Sequence, residues 1–95
     1  MHARMFVVQA SPERLDEGIR LLGERSEAIR ALPGFQRAYL LVDRRAGELA
    51  TMTLWESEQA MTDALPAARE ILGAGVQAMG GQVPQPKQYE VALEL

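Results

Sequence analysis

The side chains that could do chemistry in this chain lie on two neighbouring segments, residues 35–42 and 49–55. Arg37 and Tyr39 alternate along the first segment, which predicts a guanidinium and a phenol hydroxyl on one face of a strand. Trp55 ends the second segment, and its indole N–H needs a partner if it is buried. Such groups could hold or deprotonate a substrate in an apolar cavity, or they could line a subunit contact and brace the core. Tyr39, Arg37 and Trp55 are therefore candidate catalytic residues.

The composition argues against several other kinds of site. The chain has no cysteine and a single histidine, His2, so cysteine nucleophiles are excluded and no metal site is expected. The glycines at 73, 75, 80 and 81 have neither the spacing nor the preceding strand of a phosphate-binding loop. The net charge of −3 and the scattered arginines argue against a nucleic-acid partner.

The length of 95 residues predicts one domain, residues 1–95. No stretch approaches the ~18 apolar residues that a membrane span requires, so no membrane association is expected. After Arg4 the apolar run covers only Met5 to Val8, which is shorter than the core of a secretory signal. We therefore expect a cytoplasmic protein.

The first third of the chain predicts a strand and then a helix. Residues 2–10 are rich in Phe and Val, which is typical of a strand. Ser11 is a suitable N-cap and Pro12 a suitable first helical residue, while Pro33-Gly34 is a typical helix end. The positions that share one face of this helix are Leu15, Ile19, Leu22, Ser26 and Ile29, with Leu32 behind them.

The middle of the chain predicts a hairpin and a second helix. Residues 35–42 and 49–55 are strands joined by a turn in which Gly47 supplies a positive φ. Ser57 is the expected N-cap of the second helix. We expect Pro66 to break that helix, because proline has no N–H to donate.

The remaining residues complete the fold. The second helix is predicted to end at Gly80-Gly81, and residues 89–95 alternate between apolar and polar side chains as a final strand. The order βαββαβ indicates an α+β, ferredoxin-like subunit with a four-stranded antiparallel sheet and both helices on one face.

The first three strands are apolar on both faces. In the first strand, Phe6 and Val8 oppose Met5 and Val7. Two helices cover only one face of the sheet, and no other element of the chain can cover the second face. We therefore expect a homodimer in which two sheets pack face to face.

A pocket for a hydrophobic small molecule is expected between the sheet and the broken second helix. That helix carries small residues at 60, 64, 67 and 68, which leave space above the sheet. The residues assigned to this pocket are Phe6, Val8, Met52, Met61 and Ala64.

Two short motifs carry a family resemblance. Pro33-Gly34-Phe35 precedes an apolar strand, and the segment Leu54–Met61 reads LWESEQAM, a strand end followed by a helix start. The chain thereby resembles the antibiotic biosynthesis monooxygenase-like domains of the dimeric α/β-barrel superfamily. The resemblance implies two subunits forming a dimeric α/β barrel, with a ligand pocket between the helices and the sheet of each subunit.

The same resemblance implies a short list of activities. Proteins of this kind include cofactor-independent oxygenases of polycyclic phenols, haem-degrading enzymes and isomerases of small signalling molecules. The haem-degrading branch has an asparagine, a second tryptophan and a histidine where this chain has Phe6, Ala64 and Ala74. We therefore expect no cofactor and a cofactor-independent monooxygenase of hydrophobic or aromatic substrates. The alternatives are a non-catalytic protein that binds such a molecule and a structural dimeric module.

Overall fold

The computed structural model describes residues 1–78, 80 and 83–95 of the chain. The strands are β1 (His2–Gln9), β2 (Phe35–Asp43), β3 (Glu48–Trp55) and β4 (Lys87–Glu90). The helices are α1 (Leu15–Glu24), α2 (Ser26–Arg30), α3 (Glu58–Asp63) and α4 (Leu65–Ala78), and a 3-10 turn at Pro12–Arg14 precedes α1. None of the helices in these described ranges is long and apolar enough to cross a membrane.

The four strands form one antiparallel sheet in the order β2-β3-β1-β4. The two strands that follow each other in the hairpin, β2 and β3, are neighbours, while β1 lies between β3 and β4. This order confirms the predicted α+β, ferredoxin-like βαββαβ subunit. The first three strands each differ from their predicted bounds by one residue.

The helices cover one face of this sheet. Directly paired residues of neighbouring strands share a face, so Phe6 lies beside Thr51, and Met5 lies beside Met52 on the other side. The covered face and the helices enclose a core of Phe6, Val8, Leu15, Leu49, Leu72 and Val76. The opposite side, here called the uncovered face, carries Met5, Val7, Tyr39, Leu41, Met52 and Tyr89.

The first helix differs from the prediction at its start and in its middle. The Ser11 side chain makes no cap hydrogen bond, because a 3-10 turn forms first and the Arg14 amide donates to the Ser11 carbonyl at 3.0 Å. The helix is also interrupted at Arg25, whose amide donates to the Leu22 carbonyl at 3.2 Å. This three-residue spacing tightens the turn and separates α1 from α2.

The second helix is interrupted between Asp63 and Leu65, as predicted from Pro66. Ser57 caps its first part by accepting a hydrogen bond from the Ala60 amide at 3.1 Å, which confirms the predicted N-cap. The predicted end at Gly80-Gly81 falls partly outside the described residues.

The turn and the last strand give one agreement and one difference. Gly47 has a φ of 69°, as the predicted turn requires. The last strand covers only Lys87–Glu90 and is shorter than expected, because its partner strand β1 begins at His2, which pairs with Glu90. One further bond, from the Val91 amide to the Met1 carbonyl at 3.0 Å, extends this ladder.

Candidate functional site

An apolar cavity of about 280 Å³ lies between the covered face of the sheet and the helices. Its floor is formed by side chains of the first three strands: Arg4, Phe6, Ala38, Leu40, Thr51 and Thr53. Its roof is formed by apolar residues of α1, α2 and α4: Ile19, Leu22, Ile29, Ala68, Ile71 and Leu72. The cavity is therefore bounded by the first helix (α1 and α2) as well as by the second helix (α4).

Arg4 is the unusual residue of this cavity. It is a charged residue, yet it is 0% exposed, because it lies on the face of β1 that carries the core. Its Nη1 donates to the Met61 carbonyl at 2.6 Å, and its Cζ lies 5.2 Å from the centre of the Trp55 ring. These contacts, with a cation–π contact to Phe6 at 6.0 Å, hold the guanidinium in place.

The interrupted second helix supplies the acceptor for this hydrogen bond. In a continuous helix the Met61 carbonyl would accept from the amide of residue 65. Because α3 ends at Asp63, this carbonyl lies in a last helical turn, where carbonyls need other donors. Arg4 is that donor, and the bond links β1 to α3.

The remaining donors of Arg4 have no partner. Its Nε and Nη2 are buried and make no hydrogen bond to any described residue. None of the described residues that line the cavity is a carboxylate, whereas the exposed Arg25 is among them. Burial, and then repulsion from Arg69, lowers the pKa of Arg4, but a guanidinium stays charged in proteins. The cavity thus has a mainly apolar lining and carries a positive charge. A buried charge without a counter-ion lowers the stability of the fold by several kcal/mol.

Trp55 has a structural environment on the same face of the sheet. It is fully buried, and its Nε1 donates to the Thr53 Oγ1 at 2.8 Å. The Phe35 ring meets it edge-on, with ring centres 5.7 Å apart. Its N–H therefore already has an acceptor inside the protein. Trp55 does not line the cavity itself but contacts Arg4 and Thr53, which do. A direct catalytic role for Trp55 stays a prediction.

Arg37 and Tyr39 lie together on the uncovered face. Arg37 Nη1 donates to the Tyr39 hydroxyl at 3.3 Å, and both side chains are exposed. Tyr39 pairs with Met52 and Arg37 with Leu54, so both point away from the helices. Tyr39 borders the cavity, and this register means that it does so through its backbone. The structure therefore does not bring this pair together with Trp55, and their catalytic roles also stay predictions.

Of the residues assigned to the pocket, only Phe6 lines the cavity. Val8 lies deeper in the core, 2% exposed. Met61 and Ala64 pack around Trp55. Met52 does not line the cavity, because its pairing with Met5 places it on the uncovered face.

The sequence reasoning missed Arg4, although the sequence contains a signal for it. Arg4, Phe6 and Val8 alternate along β1, so they share one face of the strand. An arginine on the face that carries two core residues is a buried polar residue, which is more informative than an exposed apolar one.

His2, the single histidine, does not line the cavity. Its Nε2 lies 3.8 Å from a carboxylate oxygen of Glu58. Among the residues that the structure describes, no group of three histidine, aspartate or glutamate side chains could hold a metal ion.

A family model described as antibiotic biosynthesis monooxygenase matches residues 1–68. No curated protein matches the chain.

Several solved structures share the fold. A monooxygenase from the gene ActVA-Orf6 of Streptomyces coelicolor, in complex with nanaomycin D, is 25% identical, with 93% of this chain and 82% of that chain covered and a TM-score of 0.69. SnoaB, a cofactor-independent oxygenase of Streptomyces nogalater, is 19% identical, with 99% and 93% covered and a TM-score of 0.65. MhuD, a haem degrader of Mycobacterium tuberculosis with two haems bound in its active site, is 19% identical, with 100% and 99% covered and a TM-score of 0.75.

Proposed function

The chain belongs to the antibiotic biosynthesis monooxygenase family, and from this premise we propose that it is a monooxygenase that acts on a hydrophobic, aromatic small molecule without a resident cofactor. The observation that carries this proposal is the cavity between sheet and helices. Its volume of about 280 Å³ is close to the ~300 Å³ lower end of small-molecule sites. Its walls are mainly aliphatic, which suits a flat ring and excludes water.

Two of the structural neighbours support this choice. SnoaB is a cofactor-independent oxygenase, and the Streptomyces coelicolor monooxygenase was solved with nanaomycin D. Their resemblance extends over at least 93% of this chain.

The chemistry of such a reaction needs little from the protein. When a phenol is oxidised to a quinone, one atom of O2 becomes the new carbonyl oxygen and the other leaves as water. The substrate supplies all the electrons, so no further reductant is required. The protein contributes a dry site that fixes the ring, and a nearby positive charge that favours an anionic form of the substrate. In this cavity that charge is Arg4.

Haem degradation, the activity of MhuD, is less well supported. The only histidine is His2, which is directed to Glu58 and does not line the cavity. The residues that face the cavity from α4 are Ala68, Ile71 and Leu72, none of which can ligate iron. The residues present therefore do not fit a haem group.

We propose further that two copies of the chain form a homodimer through the uncovered face. This face exposes apolar side chains: Val7 is 42% exposed, Leu41 45% and Tyr89 49%. Such a contiguous apolar surface is typical of an interaction site. A second sheet packed on it would bury these side chains, as the dimeric α/β barrel does.

The function is tested by filling the cavity from its floor. Thr51 lies at the centre of that floor, between Phe6 of β1 and Leu40 of β2. We expect the purified protein to consume oxygen and form a quinone when 1-naphthol is added, as followed with an oxygen electrode and by absorbance. Thr51→Phe should abolish turnover because its ring occupies the cavity, whereas Thr51→Val keeps the side-chain shape and should retain it.

The outcomes separate the three alternatives. Binding of 1-naphthol without oxygen uptake would identify a binding protein. Neither binding nor uptake, across a panel of phenols, would leave a structural dimeric module. Equal turnover by Thr51→Phe and Thr51→Val would place the reaction elsewhere in the molecule.

A further inference from the structure

The free edge of the Arg4 guanidinium has a specific shape. Its Nε and Nη2 are the two nitrogens without partners, and Nη1 already donates to Met61. Nε–H and one Nη2–H point in the same direction from one edge of the planar group. Two parallel donors of this kind match the two oxygens of a carboxylate.

The surrounding contacts explain where this guanidinium lies but not why its edge is free. The Met61 carbonyl and the Trp55 and Phe6 rings fix its position. None of them accepts from Nε or Nη2. No salt bridge among the described residues involves Arg4, so its charge has no counter-ion in that part of the chain.

We propose that the cavity takes hydroxyaromatic carboxylates and that Nε and Nη2 of Arg4 donate to the two carboxylate oxygens. This inference rests on the proposed function, because it names the substrate class of the same cavity. The aromatic body lies against Phe6 and the aliphatic roof, and the ring hydroxyl lies away from Arg4. Arg25 on the cavity wall, together with the absence of acidic residues from the lining described above, adds to the attraction for an anion. Because Arg4 is covered in this structure, a side chain of the cavity wall rotates when the carboxylate enters.

The test compares two ligands of the same shape. The first is 6-hydroxy-2-naphthoate, and the second is its neutral analogue, 6-hydroxy-2-naphthamide. The carboxamide has an acceptor oxygen but an NH2 group in place of the second oxygen, so it places a donor against the Arg4 edge. Titration calorimetry on the intact protein should give a carboxylate affinity that is roughly 10–100-fold higher than that of the amide.

Substitution of Arg4 assigns this preference to its source. Arg4→Gln keeps a polar, uncharged side chain at this position but removes the charge, so it should lose the preference for the carboxylate. Arg30→Gln removes the same charge from the exposed surface of α2 and should keep the preference. If Arg4→Gln does not fold, Arg4→Lys keeps the charge and lacks the paired donors, and it should show a reduced preference.

The inference is overturned if the wild-type protein binds both ligands equally, if it binds neither, or if the Arg4 variants keep the preference. An oxygen electrode reading on the same samples separates this inference from the proposed function. A carboxylate preference that depends on Arg4, without oxygen uptake, supports the inference and contradicts the monooxygenase. Oxygen uptake with equal affinity for both ligands does the reverse.

Discussion

At the scale of single residues, the site depends on the contacts that hold the buried guanidinium of Arg4. Trp55 donates to Thr53, and the Trp55 ring also packs against the Arg4 guanidinium. The indole therefore does two things: it satisfies a hydroxyl on the cavity floor and it orients the charge. The Phe35 ring also packs edge-on against the indole, with ring centres 5.7 Å apart.

A double-mutant cycle measures the first of these contacts. Thr53→Val leaves the buried Trp55 N–H without its acceptor and should lower the free energy of unfolding by about 1–3 kcal/mol. Trp55→Phe removes the donor and leaves a void, which should cost a similar roughly 1–3 kcal/mol. The double variant should lose less than the sum, because the unpaired donor is no longer present. Urea unfolding gives all three values.

The exposed residue Thr62 offers a control for this cycle. Thr62→Val makes the same change on the surface of α3 and should alter the stability by less than about 0.5 kcal/mol. Strict additivity of Thr53→Val and Trp55→Phe would mean that the 2.8 Å contact contributes nothing to stability.

At the scale of elements, the break in the second helix serves the site. Pro66 prevents α3 and α4 from continuing as one helix, and the Met61 carbonyl then accepts from Arg4. The entry to β2 is fixed at the other end of α3. There Gly34 has a φ of 79°, and its carbonyl accepts from the Glu56 amide at 2.8 Å.

Gly34 should tolerate no side chain. A Cβ at this position would overlap the Ala60 Cβ of α3, and its φ is one that other residues rarely adopt. Gly34→Ala should therefore lower the free energy of unfolding by about 2 kcal/mol or more. The same substitution at Gly23 of α1 meets no atom within 4 Å and should raise stability by roughly 0.5–1 kcal/mol through helix propensity.

Urea unfolding measures the free energies of unfolding of the two alanine variants, provided that the dependence of this free energy on urea concentration is the same for both. Equal stability of Gly34→Ala and the wild-type protein would show that the contact between the start of β2 and α3 is looser than the structure has it.

At the scale of the whole molecule, the described residues of the single chain leave one face of its sheet uncovered. The uncovered face carries apolar side chains on all four strands, from Tyr39 and Leu41 at one edge to Tyr89 at the other. Arg37 lies on this face beside Tyr39, so this pair would meet the second subunit. In such a dimer this pair belongs to the interface and not to the cavity.

The dimer predicts a mass of twice 10.5 kDa in sedimentation equilibrium at micromolar concentration. Leu41→Glu places a charge at an apolar position of the uncovered face and should convert the protein to a folded monomer. Ala28→Glu adds the same charge to the exposed surface of α2 and should leave the dimer intact. A stable, folded wild-type monomer at this concentration would contradict the proposal.

Much of the fold follows from local features of the sequence. Caps, turn glycines and prolines act on their immediate neighbours, so Ser57, Gly47 and Pro66 have the predicted effects. Runs rich in apolar residues likewise predict the first three strands to within one residue, whereas the alternation over residues 89–95 predicts a longer last strand than the structure has. The interruption at Arg25 was not predictable in this way, because no proline or glycine occupies that position.

The cavity was less predictable, because strand register decides which side chains face it. β2 has an irregularity between Phe35 and Arg37: Phe35 pairs with Trp55, but Arg37 pairs with Leu54. This shift moves the odd-numbered residues of β2 to the opposite face, so Tyr39 lies away from Phe35 and Trp55. Alternation along the sequence cannot reveal such a shift.

The sequence by itself therefore determined the elements, the α+β topology and the family, since these depend on local preferences and short motifs. The tertiary structure alone decided that Arg4 is buried with no counter-ion among the described residues, and that Met52 and Tyr39 lie on the uncovered face. The physical reason is that burial and pairing are properties of contacts between strands and helices distant in sequence. A guanidinium beside a carbonyl 57 positions away becomes a candidate binding site only when the chain is folded.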